Sequence, residues 1–317
     1  MLSIHSTRLF PKNLGADRYE ITGIATRCDW IVLSDKVEPQ THLVQRSGTQ
    51  PPKTVFLSFR WQRAALQFFV ESVLPQLTVP FVLVSGSEDT TIPNQVDARL
   101  EPFSAQDRQN ITSILAHPNL RYWVTENLDD ASHPKLKPLP LGIVFNDDPK
   151  IRELVPIPDL PPLMDRPLRA LCGHRIRAGD QWNTRRQVTE LSESSWQEIC
   201  TTLRYDVSET AFIRQVENHS FVICVEGGGL DPSPKAWLAL LHGAIPIMKH
   251  SALDAAYERL PVIFVDDWNY DTVTTEKLLN WRVRMEPYFD QPALRRTVLK
   301  RLSLDYWWNY ILSIDCL

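Results

Sequence analysis

A glutamate and three glycines, Glu226, Gly227, Gly228 and Gly229, follow the apolar run FVICV at 221–225, and Lys235 comes shortly after them. This grouping can hold an anion. Backbone with little side-chain bulk lets a phosphate approach amide groups, a helix starting just beyond adds its free N–H groups, and a lysine supplies mobile positive charge. Ser233 is a suitable N-cap and Pro234 a suitable first helical residue. The helix is expected to run through Lys235, Trp237 and Leu241 to a stop at Gly243. Glu226 could accept hydrogen bonds from sugar or ribose hydroxyls, or could cap the following amides. Asp231 stands either for a ligand contact or for a turn closed on its own backbone, which Asp before Pro often makes. The bland alternative is a tight turn, with Trp237, Leu240 and Leu241 at spacings usual for core packing.

A second basic group, Arg175, Arg177, Arg185 and Arg186, follows the stretch ALCGH at 170–174. If that stretch is a parallel strand, its carboxyl end and the Glu226 turn share one sheet edge, where ligands of such sheets gather. The planar guanidinium fork suits diphosphate oxygens; the alternative is a solvated helix face paired with Asp180, Glu190 and Glu193. In the first half of the chain, Ser58 and Arg60, then Ser85, Gly86 and Ser87, then Glu126 and Asn127 follow three further apolar runs. They are ordinary turn and cap residues, but an acceptor would be oriented at such ends. Glu126 and Glu88 are the candidate catalytic residues there, as general bases.

Other chemistries lack their motifs. There is no Gly-x-Ser-x-Gly elbow, no phosphate-loop Gly-Lys-Ser/Thr, no G-x-G-x-x-G and no Asp-x-Asp. His174, His242 and His250 have no second His or Cys at metal-ligand spacing. A site without metal or cofactor is the expectation. Five separated cysteines, Cys28, Cys172, Cys200, Cys224 and Cys316, contain no Cys-x-x-Cys pair, which argues against a disulfide framework or zinc ribbon.

The elements that must position these residues alternate. TVFLSF at 54–59, PFVLVSG at 80–86 and LRYWVTEN at 120–127 read as strands, with helices at 61–77 and 105–117 between them. Residues 1–50 are less regular, and ITGIATRCDWIVLSD supplies one or two further strands. After a proline-rich stretch come the ALC strand, charged helical segments through Tyr205 and over 209–218, and the 221–265 unit. Strands alternating with helices imply parallel, sandwiched sheets. The expected fold class is α/β, with two Rossmann-like domains facing each other across a cleft. The expected domains are 1–146, a linker at 147–168 able to rock, 169–275, and a helical segment at 276–317 packing back on the first domain. Trp307, Trp308 and Tyr310 would anchor that last helix.

The 317 residues suffice for two cores, and 43% hydrophobic with 23% charged residues is an ordinary globular balance. A net charge of -4 offers no broad attraction to nucleic acid. No segment nears the roughly 20 apolar residues of a spanning helix, and no leader is evident, so a cytoplasmic protein is expected.

The stretch FVICVEGGGLDPSPKAWLALLHGAIPIMKHSALDAAYERLPVIFVDDW resembles the donor-binding half of exostosin-like glycosyltransferases of the two-domain GT-B type. The likeness lies in the acidic glycine turn, Pro-Lys-Ala-Trp, Gly-Ala-Ile-Pro-Ile and the Leu-Pro-Val strand; NLRYWVTEN and KLKPLPLGI extend it into the first half. The resemblance implies transfer of a sugar from a nucleotide-diphosphate sugar, held by the second domain as co-substrate, to a glycan or small-molecule acceptor held by the first. It would set Glu226, Gly227, Gly228, Lys235 and Trp237 around the donor, joined by Arg175, Arg177, Arg185 and Asp231 from the residue reading. Leu238 departs from the family, in which a Glu often follows the Trp. Two rivals stand beside this: a nucleotide- or sugar-binding protein without catalysis, and an α/β enzyme acting on a small phosphorylated substrate.

Overall fold

Short continuous apolar runs form strands buried on both faces, and in this chain they assemble into two sheets. The structure is a computed structural model that describes residues 1–46, 51–144, 154–232 and 234–314. Ser233, Cys316 and the first part of the expected linker lie outside the described residues.

The first sheet contains β1 (Trp30–Ser34), β2 (Thr41–Gln45), β3 (Thr54–Ser58), β4 (Phe81–Gly86), β5 (Leu120–Thr125) and β6 (Leu136–Pro138), in the order β2-β1-β3-β4-β5-β6. Only β2 is antiparallel, paired to β1; the remaining neighbours are parallel. α1 (Gln62–Phe68) joins β3 to β4, and α2 (Ala105–Ala116) joins β4 to β5. α2 starts in a capping box, with the Ser104 hydroxyl and the Asp107 carboxylate each serving the other's backbone N–H. The irregular first fifty residues thus supply β1 and the edge strand β2.

The second sheet has the order β11-β10-β9-β7-β8, all parallel, from β7 (Ala170–Cys172), β8 (Cys200–Thr202), β9 (Phe221–Ile223), β10 (Ile245–Lys249) and β11 (Ile263–Val265). α3 (Asn183–Glu193), α4 (Glu209–Glu217), α5 (Lys235–Leu241) and α6 (Asp254–Tyr257) connect them. The chain leaves β7 for β8 on one side and returns to β9 on the other. The strand order therefore reverses between β7 and β9, the position where open α/β sheets bind ligands.

One expectation is corrected. The helix expected through Tyr205 ends at Glu193, and the β-branched Thr201 and Thr202 form the edge strand β8 beyond Trp196, which is fully buried against Trp268. Beyond the sheet run α7 (Thr275–Asp290), α8 (Pro292–Arg301) and α9 (Leu304–Ser313). α9 returns to the start of the chain: Leu304 N donates to Ser3 O at 2.9 Å, His5 N to Leu302 O at 2.9 Å, and Arg27 pairs with Asp305. Leu2 and Val155 exchange two backbone bonds of 2.8 Å. Among the described residues no helix is long and apolar enough to cross a membrane.

Candidate functional site

The strand-order reversal brings the two basic and acidic groups together. Beyond β7 come Gly173, His174 and Arg175; beyond β9 come Cys224, Val225 and Glu226. Arg185, in the first turns of α3, reaches across this gap, its guanidinium donating to the backbone carbonyls of Glu226 at 2.9 Å and Arg175 at 2.8 Å. The same group lies 4.7 Å from the centre of the Trp182 ring. Burial lowers the Arg185 pKa to about 10, Glu226 opposing and Arg177 adding to the fall. No carboxylate forms an ion pair with Arg185 among the described residues.

Lys235 is half-buried beside it. Its Nζ has one long bond, 3.4 Å to Val225 O, and no ion pair among the described residues. Burial first, then the charge of Arg185, lowers its pKa to about 7. A lysine so held gains strongly from any anion that reaches it. Glu226 is also half-buried, and its carboxylate makes no hydrogen bond or ion pair among the described residues. The backbone N–H groups of Gly227 and Gly228 are likewise unpaired there. Arg177 is exposed, 5.8 Å from the Trp182 ring centre, and Arg99 of the first domain lies 5.4 Å from the same ring.

The rest of the turn is engaged by the other domain. Gly229 N donates to Asp97 Oδ2 at 2.9 Å, and Leu230 N and Asp231 N both donate to Asn127 Oδ1 at 2.9 Å. Gly229 has φ +66°, and a Cβ there would collide with the Asn127 amide; one at Gly228 would collide with Arg99 and Asp89. Close approach between domains is thus a reason for glycine at both positions. Gly229→Ala is expected to lose about 1–3 kcal/mol of stability, from φ strain and displaced Asn127 bonds, measured by urea unfolding. An unchanged midpoint would show that the seam is not held there.

Several expected donor contacts are therefore reassigned. The amides beyond Gly228 serve Asp97 and Asn127, and α5 is a short helix of seven residues. Asp231 is buried, accepting from Leu141 N at 2.7 Å and from the Tyr257 hydroxyl at 2.5 Å; it joins the domains instead of facing a ligand. Trp237 is fully buried, edge-to-face with Tyr257 at 5.7 Å and tilted to Trp307 at 6.4 Å, so it belongs to the core. Arg175 points outward and pairs with the exposed Asp206. Arg177, Arg185, Glu226, Gly227, Gly228 and Lys235 remain gathered.

On the first domain, the opening residues of the chain lie over the carboxyl ends of β3, β4 and β5. Thr7 donates its hydroxyl to Glu126, Leu9 N donates to Ser87 Oγ at 3.0 Å, and Arg60 donates to Leu9 O at 2.7 Å. Arg8 pairs with Asp89 at 2.6 Å and stands 3.5 Å from Glu88 and 3.8 Å from Glu126. Glu126 is buried beneath Gly86, and burial raises its pKa to about 7 against the pull of Arg8. Glu88 is partly exposed and paired to Arg60 at 3.0 Å. Burial alone would raise the Asp89 carboxyl, yet Arg8 and Arg99 hold it well below the usual range. Ser58, Ser85 and Ser87, expected at the cleft, are fully buried, and Ser85 accepts from Trp123 Nε1 at 2.8 Å.

Thr7, Arg8, Asp89, Asp97, Arg99, Gln181 and Trp182 escaped the sequence reading. Asp89, Asp97 and Arg99 did carry one signal, a long polar loop after the apolar run of β4. Gln181 ties the seam from the other side, donating to Gly227 O at 2.7 Å and accepting from Ala98 N at 3.0 Å.

No known protein family matches this chain, and no curated protein does. Among solved structures it is similar to an α1,3-fucosyltransferase, with 12% identity and TM-score 0.32 over 86% of this chain and 92% of that one. It is also similar to a GtfA/B complex, with 9% identity and TM-score 0.38 over 82% of this chain and 57% of that one. A third is LpCGTa in complex with UDP, with 11% identity and TM-score 0.34 over 80% and 71%. The strand order and the reversal between β7 and β9 carry the fold assignment.

Proposed function

We propose that the chain transfers a glycosyl group from a nucleoside-diphosphate sugar, held by the second domain, to a hydroxyl of an acceptor held by the first. The reading rests on one observation: Lys235, with no carboxylate partner among the described residues, beside Arg185 and the unpaired amides of Gly227 and Gly228 at the strand-order reversal. In this reading these groups and Arg177 receive the diphosphate. Glu226, whose acceptor oxygens are unused, takes the hydroxyls of the ribose or the sugar.

In the reaction the bond between the sugar's anomeric carbon and the diphosphate oxygen breaks, and the acceptor oxygen bonds to that carbon. The departing oxygen gains negative charge, which fixed cations and amides stabilise without reorganising. The acceptor's proton passes to Glu126, whose pKa of about 7 suits a base at neutral pH. Glu126 is covered in the structure by Thr7, Arg8 and Gly86, so displacement of residues 7 and 8 opens the path to it. Stabilisation by side-chain cations needs no metal ion, and hexosyl and pentosyl donors are both compatible with it.

A thermal-shift and calorimetric screen with UDP, GDP, ADP, CMP and dTDP, each with its sugar conjugates, tests this reading, because a ligand of the folded state alone raises the melting temperature. Lys235→Ala is expected to weaken diphosphate binding by about 10- to 100-fold, the range for one charge-assisted contact. Unchanged affinity in that variant sinks the assignment. Affinity should also depend on pH. The free pKa is about 7 and the bound pKa is higher, so binding is at full strength below pH 7 and weakens as pH rises through 7 towards the bound value. Lys235→Arg should flatten that slope. Binding without turnover would leave a nucleotide-sugar-binding protein.

A further inference from the structure

A cavity of about 490 Å³ lies apart from the Lys235 cluster and shares no residue with it. Its walls come from β5 and β6 of the first domain, from α6 and the residues after it in the second, and from α9. Tyr122, Tyr306, Trp307 and Tyr310 give aromatic surface; Lys137, Arg259 and Arg301 give positive charge, against one carboxylate, Glu258. The volume falls in the range of about 300–1,000 Å³ usual for small-ligand sites.

The polar groups of this cavity are largely unused. Lys137, Arg259 and Arg301 form no ion pair among the described residues; Lys137 stands 5.7 Å from the centre of the Tyr122 ring, and Arg301 donates to the Arg259 carbonyl. The hydroxyls of Tyr306 and Tyr310 and the Glu258 carboxylate make no hydrogen bond among the described residues. Cations without an ion pair among the described residues exceed carboxylates three to one, which selects an anion. Tyr306 meets Trp307 at 86° and Tyr310 meets it at 72°, so neither tyrosine is stacked flat on the indole. Aromatic surface combined with phenol hydroxyls and a carboxylate in one cavity suits a molecule with apolar C–H faces and a rim of hydroxyls that both donate and accept.

We propose that this cavity binds a saccharide unit bearing a carboxylate. The sugar's C–H faces lie on Tyr306 and Tyr310, its hydroxyls reach those phenols and Glu258, and its carboxylate pairs with Arg259 and Lys137. The proposal deepens the glycosyl-transfer reading by giving the acceptor a charged anchor, yet it stands on the cavity's own chemistry and can be tested without a nucleotide.

The test is calorimetry on the full chain with digalacturonic acid, a neutral galactose disaccharide and inorganic phosphate, each without nucleotide. Digalacturonic acid should bind at least about tenfold tighter than the neutral disaccharide, the worth of one charge-assisted contact. It should lose at least about tenfold in Arg259→Ala, an exposed position, and several-fold in Tyr310→Phe, with melting temperatures kept. Lys235→Ala should bind it as the parent does, so failure of the nucleotide site and failure of this one read out separately. Equal binding of the neutral disaccharide, phosphate binding with no saccharide binding, or undiminished binding in Arg259→Ala would each overturn the proposal.

Discussion

Glu126→Gln is expected to lower glycosyl transfer by about 10²- to 10⁴-fold, the usual contribution of a positioned general base, while nucleoside-diphosphate affinity stays as it was. Glutamine keeps the shape: its Oε1 can still accept from Glu88 N, which lies 3.0 Å from Oε1 of the parent, while its Nε2 can donate to the Thr7 hydroxyl oxygen. What it cannot do is take a proton. The parent rate should rise with pH through about 7 as Glu126 ionises, and the variant should lack that limb. Stability gives a second readout of opposite sign. The folded-state pKa lies above the ordinary 4.5, so the folded chain binds more protons between these values, and stability falls as pH rises from 4.5 to about 7. Glu126→Gln should remove that fall, by an amount on the order of 1–3 kcal/mol. Full transfer activity in Glu126→Gln would move the proton acceptor elsewhere, with Glu88→Gln as the next variant to measure.

Trp237→Ala is expected to destabilise the chain by about 3–5 kcal/mol, the range for emptying a fully buried large aromatic site. The ring is enclosed by three distant parts of the chain: His5 at 6.3 Å between ring centres, Tyr257 at 5.7 Å and Trp307 at 6.4 Å. Its Nε1 donates to Leu302 O at 3.4 Å. The damage would reach the seam, because Tyr257 bonds Asp231 and Asp231 accepts from Leu141 N. Urea unfolding followed by tryptophan fluorescence measures it. A loss below about 1 kcal/mol would mean that the neighbours close the gap and that the ring does not tie these parts together.

The gathering of Arg185, Glu226 and Lys235 was legible because it follows from local pattern. Buried parallel strands announce themselves as apolar runs, and whatever comes next in the sequence must stand at their carboxyl ends. The short strand β8 was harder, since three residues of Cys-Thr-Thr between charged segments carry no period to read. Asp231 and Trp237 stay ambiguous in the sequence for a different reason. Locally each fits a ligand turn and a helix start, and only the first domain's Leu141 and the chain's own first residues decide otherwise. Asp97 and Arg99 pair with each other locally, but their reach to Gly229 and Trp182 on the other domain leaves no trace in neighbouring residues. Contacts separated by 83 residues or more are invisible to periodicity, and the domain seam is built from them.

Ser3 and His5 bond to residues 302 and 304, while Thr7, Arg8 and Leu9 dress the first domain's strand ends. During synthesis, residues 3 and 5 must wait for residues 302 and 304 before they can settle. Until then Arg8 has Asp89 for company, but His5 has neither Trp237 nor Trp307 to cover it. Maturation of the first lobe is thereby deferred until residues 302–304 have been made, and a chaperone that shields residues 3–9 until then should raise the yield of native protein.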